Sequence, residues 1–255
     1  MNRILTTLSQ KWPEYLLEIL VLIVGIYGAF ALESWNERRN LVEEETKIIG
    51  QLVEQYELNL QQLESKIEMR EIMLTRARVT LDLIDHPDTV TYDDLLQIVL
   101  LFFNDPTFDP IHNDLLNTGN LRTIRNDSLR ELLGSWNADV ISLNEFEFGW
   151  QKTTQETITP YFSSLGLMRD IGHTIFHSEI YNRSMLLSYL SDEEKKVIDY
   201  PRSTNHVMPK VLLSDPLLES FAITLIGINT AANIESRKLK KKMERTLKLM
   251  KKEIQ

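Results

Sequence analysis

Two histidines four residues apart, His173 and His177, stand with Asp170 and Glu179 nearby, and come nearest in this chain to a metal site. On a helix the i, i+4 spacing would put both imidazoles on one face, as in helices that grip zinc. A zinc hydrolase would also carry a glutamate directly after the first histidine. Position 174 is threonine, and Gly172 weakens a helix there. Structural or surface histidines are the better reading. Ser164-Leu165-Gly166 supplies only the second half of a nucleophile elbow, because Phe162 stands where the first glycine belongs. Asp93-Asp94 and Glu193-Glu194 are adjacent pairs, and adjacent helical residues point to different faces. No glycine-rich phosphate loop occurs, and there is no cysteine, which removes disulfides, thiolate zinc sites and cysteine nucleophiles. Trp136 and Trp150 could line a ligand pocket, but aromatic residues at helical spacing are more often core. No catalytic, metal or cofactor residue is assigned, and the expectation is a protein that is not an enzyme.

Charge divides the chain. The net charge is −9, yet residues 235–255 hold nine Lys or Arg against three Glu, a net of +6, which leaves −15 on the rest. An acidic body repels nucleic acid, so no nucleic-acid partner is expected. The basic end offers Lys238, Lys240, Lys241, Lys242 and Arg245 as contacts for anionic headgroups, or alternatively as a solvated face paired internally.

The element that must position everything else is the apolar segment near the N-terminus. Residues 15–35 would span roughly 31 Å as a helix, matching a hydrocarbon core of about 30 Å. Six consecutive aliphatic residues, 19–24, leave no polar face, and Trp12 and Tyr15 before the run and Trp35 after it sit as interface anchors would. Two other readings compete. The uncharged stretch between Glu18 and Glu33 is 14 residues, short enough for a buried soluble helix. Arg3 and Lys11 ahead of it, and Ala29-Phe30-Ala31 within it, resemble a cleavable signal. Glu18 inside the apolar run and a helical register that continues past Ala31 favour a retained anchor. Glu18, Leu22, Gly25 and Ala29 fall on one face, and Gly25 with Ala29 forms a small-xxx-small pair suited to close helix packing. Glu18 either joins that contact or reaches out to the headgroups.

Glu18-Ile19, Gly25-Ile26, Ala29 and Trp35-Asn36-Glu37, with a second segment at Thr118-Gly119-Asn120-Leu121-Arg122, Ile124, Asn126 and Leu129, resemble an uncharacterised family of bacterial single-pass membrane proteins. The resemblance covers about 40 residues, and the chain departs from the pattern at Tyr27, Gly28 and Glu33. It implies a membrane anchor followed by a mostly helical domain, with the N-terminus inside and the bulk of the chain outside the bacterial inner membrane, and it implies no activity.

Beyond Trp35 the spacing of Leu41, Ile48, Leu52, Tyr56, Leu60, Leu63, Ile67 and Leu74 predicts one helix to about residue 84, stopped by His86-Pro87-Asp88. Shorter helices are expected at 93–103, at 111–118 with Gly119 as its C-terminal turn, after a cap at Asn126 or Asp127 with a Ser128-x-x-Glu131 capping box, and from Val140 to about Pro160. Residues 161–205 read as short helices and loops. From about Asp215 the apolar face of Leu218, Phe221, Leu225, Ile228, Ala232, Leu239, Met243, Leu247, Met250 and Ile254 predicts a last helix reaching the end of the chain.

The expected architecture is therefore all-α: a short tail at 1–14, a transmembrane anchor at 15–35, and an elongated helical bundle at 36–255 with long first and last helices. If the last helix returns alongside the first, Glu43, Glu44 and Glu45 would meet Lys240, Lys241 and Lys242. The function expected is a non-enzymatic, membrane-anchored scaffold or assembly subunit. Its partners would be the lipid bilayer and a second copy or a membrane protein. A small-ligand sensory domain acting through a membrane partner, and a pore-forming or membrane-perturbing effector, are the alternatives.

Overall fold

The computed structural model describes residues 2–111, 120–177, 191, 193–194 and 200–254, with side chains from 16 onward except at 88 and 120. The first helix, α1 (Asn2–Asp85), runs unbroken for 84 residues. It includes the backbone of the expected tail and ends where Pro87 opens a single 3-10 turn. There follow α2 (Tyr92–Leu100), tightened into a 3-10 turn at Leu101–Phe103, then α3 (Asp127–Gly134), α4 (Trp136–Thr153), α5 (Thr159–Ser164), α6 (Met168–His177), α7 (Pro209–Leu213) and α8 (Pro216–Glu253). Among the described residues there is no strand. The expected helix at 111–118 lies outside the described residues.

Two local expectations are corrected. Asn126, one of the two expected caps, does cap α3, accepting from the Leu129 N–H at 3.0 Å, but the expected capping box at Ser128 does not form. A box does form at Thr91 and Asp94, each side chain accepting from the other's backbone N–H. Pro160 does not end a helix begun at Val140. The helix starts at Trp136, and ahead of the proline the backbone widens into a π-turn at Thr154–Ile158, the Thr159 N–H bonding back to the Thr154 carbonyl. Widening the helix just before Pro160 accommodates a residue that has no N–H to give.

α8 lies antiparallel on α1, and α4 packs on α8. Ion pairs mark the register: Glu71 with Arg237 at 2.6 Å, Glu64 with Lys240 at 2.8 Å, and Glu57 with Lys251 at 2.6 Å. The expected meeting of Glu43, Glu44 and Glu45 with Lys240, Lys241 and Lys242 is therefore corrected. Glu43 pairs with Arg39, Glu45 with Arg125, and Lys242 with Asp139. The reason is register: with Leu239, Met243 and Met250 packed in the core, Lys240 lies beside Glu64 and Lys251 beside Glu57, so the Lys240–Lys242 run stands many turns from Glu43.

The bundle encloses two apolar cores. One gathers Ile49, Leu52, Tyr56 and Leu63 of α1 with Leu129, Leu133, Trp136 and Leu143, and with Leu239, Met243 and Met250 of α8. The other, farther from the N-terminus, joins Met73 and Ala77 to α2, Trp150, Phe162, Ile171, Leu218, Phe221 and Leu225. Phe162 and Phe221 meet Tyr161 edge-on, each with ring centroids 5.2 Å from it. The Tyr161 hydroxyl donates to Asp215 at 2.6 Å, and Asp215 caps α8 through the Leu217 N–H. Trp136 and Trp150 are both core residues; the Trp150 indole N–H donates to the Asn104 carbonyl at 3.1 Å.

Candidate functional site

From Leu16 to Glu44 every side chain of α1 is exposed, so the most apolar stretch of the chain is not used by the fold. Residues such as Leu17 at 65%, Val21 at 63%, Tyr27 at 73% and Phe30 at 63% stand clear on all sides of the helix. The helix Leu16–Asp85 holds a window apolar and long enough to cross a membrane, and none of that window is buried; a signal sequence passes the same test. Glu18, Leu22, Gly25 and Ala29 share one face, and a Cβ at Gly25 would meet nothing within 4 Å. The side chains of Trp12 and Tyr15 lie outside those described. Trp35, expected as the anchor at the other end, is 62% exposed.

Two groups of the bundle's basic residues bear on the expected headgroup contact. In α8, Lys238 pairs with Glu235 and Lys240 with Glu64, while Lys241 and Arg245 are exposed. The hydrogen bond that Lys240 donates to Glu64 pushes the lysine above its ordinary range. At the level of Glu64 this group stands roughly 44 Å along α1 from Trp35. A second group lies close to Trp35. Arg38, Arg39 and Arg125 line one groove of about 520 Å³ with Trp35, Leu41, Val42 and Glu43. Buried Glu45 fixes Arg125 there, accepting from its backbone N–H at 2.7 Å and its Nε at 2.6 Å. No sequence signal marks Arg125, because the partner that places it is 80 residues away.

Between the two cores lies a buried polar centre that sequence reasoning also missed. Fully buried Arg70 donates to Glu147, to the Pro106 carbonyl at 2.8 Å and to Ser236 Oγ at 2.8 Å. Glu147 Oε2 accepts the Phe108 N–H at 3.1 Å. Arg70 Nε and Asn233 Nδ2 find no hydrogen-bond partner. Burial pushes Arg70 down to about 10, with Asp105 opposing, so it remains a cation at neutral pH. The centre ties α1, α4, α8 and the 104–111 segment together and opens to no surface cleft among those described, which suits a structural role.

The histidines expected as the nearest approach to a metal site stack on each other at 4.1 Å, and His177 Nδ1 lies 2.8 Å from the His173 carbonyl oxygen. Glu179 is outside the described residues. Buried Asp170 turns to other partners: the Tyr92 hydroxyl at 2.5 Å, the Ser203 N–H at 2.6 Å, and His206, whose Nδ1 is 3.6 Å away. Burial first, and then the hydrogen bond to Asp170, raises the Tyr92 phenol well above its usual range. This carboxylate pins the 200–207 segment onto α2 and α6. Among the described residues no three His, Asp or Glu gather to hold a metal ion. Ser164-Leu165-Gly166 is the end of α5, where the Ser164 hydroxyl donates to the Tyr161 carbonyl and Gly166 takes φ +72°.

An open groove of about 460 Å³ lies between α1 and α2, with Val79, Leu83, Val90, Ile98 and Leu101 as its apolar wall and Arg76 at its rim. No protein-family model, curated protein or solved structure matches the chain.

Proposed function

We propose that the protein is a non-enzymatic scaffold or assembly subunit, held in the bacterial inner membrane by a single span at residues 15–35 and projecting its bundle on the periplasmic side. The observation that carries this reading is the exposed apolar stretch of α1, which passes without a break into the first helix of the bundle. A hydrocarbon slab would take up those side chains, while the helical backbone satisfies its own hydrogen bonds within the slab. Because span and bundle share one helix, the orientation of the anchor sets that of the whole domain.

The face of Glu18, Leu22, Gly25 and Ala29 is where a second span would pack, either of another copy or of a membrane partner. Small residues allow two helix backbones to approach closely, and a carboxylate one turn inside the membrane is best accommodated at a helix–helix contact. Gly25→Leu tests this. Chemical crosslinking of the full chain in membranes should yield dimers or larger species that the leucine variant weakens at least fivefold. Strictly monomeric wild-type protein would rule out self-assembly through the span.

A further inference from the structure

The groove beside Trp35 has the composition and the placement of a lipid headgroup site. On a helix turning about 100° per residue, Trp35, Arg38, Arg39 and Val42 lie within about 60° of one side, while Glu33, Glu37 and Glu44 lie within about 20° of the opposite side. Three carboxylates of this stretch thus face away from the tryptophan, while Glu43 lines the groove itself beside Arg39. Tertiary structure adds a third cation to the same face, because Glu45 clamps Arg125 by its backbone N–H and Nε. That clamp uses the Nε edge only, and Arg39 likewise gives Nε to Glu43 at 2.9 Å. The terminal nitrogens of both guanidinium groups have no protein partner among the described residues, and Arg38 has no ion pair there. Guanidinium edges of this kind match phosphate oxygens.

We propose that Arg38, Arg39 and Arg125 form a collar that binds the phosphate of an anionic phospholipid in the leaflet next to the bundle. This rests on the membrane-anchor reading above. Arg38 and Arg39 stand about 5 Å along the helix beyond Trp35, at headgroup depth if Trp35 marks the interface. The groove wall of Trp35, Leu41 and Val42 is apolar, each of the three being exposed, which suits a headgroup that arrives with acyl chains rather than free phosphate. The collar, and not the Lys238 to Arg245 group, is the basic surface the fold sets beside the span. Its effect would be to fix the rotation and tilt of α1 against the bilayer.

The test uses the full chain in mild detergent, with bound lipid counted by native mass spectrometry after addition of phosphatidylglycerol or phosphatidylcholine. Wild-type protein should retain phosphatidylglycerol at least fivefold over phosphatidylcholine. The variant R38Q/R39Q, which leaves the Arg125–Glu45 clamp intact, should cut that preference at least threefold, and adding Arg125→Gln should remove it. K238Q/K241Q/R245Q, which deletes as many charges far from Trp35, should leave it unchanged. Equal retention of the two lipids by wild type, or an equal loss in the α8 variant, would overturn the collar. A chain that stays in membranes but shows no lipid preference sinks this inference alone; a chain that does not partition into membranes sinks the anchor with it.

Discussion

Arg70 and Glu147 concentrate the energetic risk of the bundle. Both are buried, and each serves as partner to the other and to backbone groups of the 104–111 segment. Removing one charge leaves the other desolvated and unpaired, which typically costs about 3–5 kcal/mol. Glu147→Leu should therefore lower the free energy of unfolding by about that amount, read from urea unfolding followed by circular dichroism. The double variant Arg70→Met/Glu147→Leu should recover part of the loss. Recovery stays incomplete because the Phe108 N–H and the Pro106 carbonyl lose their partners. If the single and double variants unfold alike, the pair is not coupled as the geometry requires. None of this was legible in the sequence. Nothing in the sequence around Arg70 or Glu147 singles either out, and only the packing of three helices reveals that both are buried.

At the scale of elements, the long helices were the readable part. A 3.6-residue apolar period sustained over many turns, an Asp215-Pro216 start and a His86-Pro87 stop leave few alternatives for α1 and α8. Short elements were less readable, because single hydrogen bonds decide them. Asn126 takes the cap position as one of the two residues expected there, but the Ser128-x-x-Glu131 box does not form, and the Asn126 side chain also donates to Glu253 at 2.6 Å near the end of α8. The box that does form, at the start of α2, has a pH signature. Side-chain and backbone hydrogen bonds from Thr91 hold the Asp94 carboxyl below its ordinary value of 3.8. A carboxylate whose folded value is depressed stabilises fully above its unfolded value, and that stabilisation is lost as pH falls through the folded value. Asp94→Ala should therefore destabilise α2 at neutral pH, and the gap from wild type should narrow once the pH is taken well below 3.8. Amide exchange at the α2 N-terminus, compared at the two pH values, measures it; a gap that widens in acid would contradict the box. The register of α8 on α1 was misread for a different reason. Charge patterning offers several pairings of similar weight, since exposed ion pairs are worth only about 0–1 kcal/mol each, so the packing of Leu239, Met243 and Met250 fixes the register instead.

For the whole molecule, one apolar helix left bare by the fold organises the reading. The two cores, the polar centre between them and the 200–207 segment pinned by Asp170 build a rod-like bundle that needs nothing from residues 16–44. The apolar character of that segment was plain from sequence; its lack of any packing partner within the fold was not, because burial is a property of the assembled chain. A cleaved signal and a retained span share the same exposed helix, and they part company in what remains on the mature protein. The decisive measurement is the intact mass of the chain recovered from membranes washed at alkaline pH. The chain should stay in the washed membranes and retain residues 1–35. Recovery in the soluble fraction, or a mass shortened by cleavage after Ala31, would contradict it.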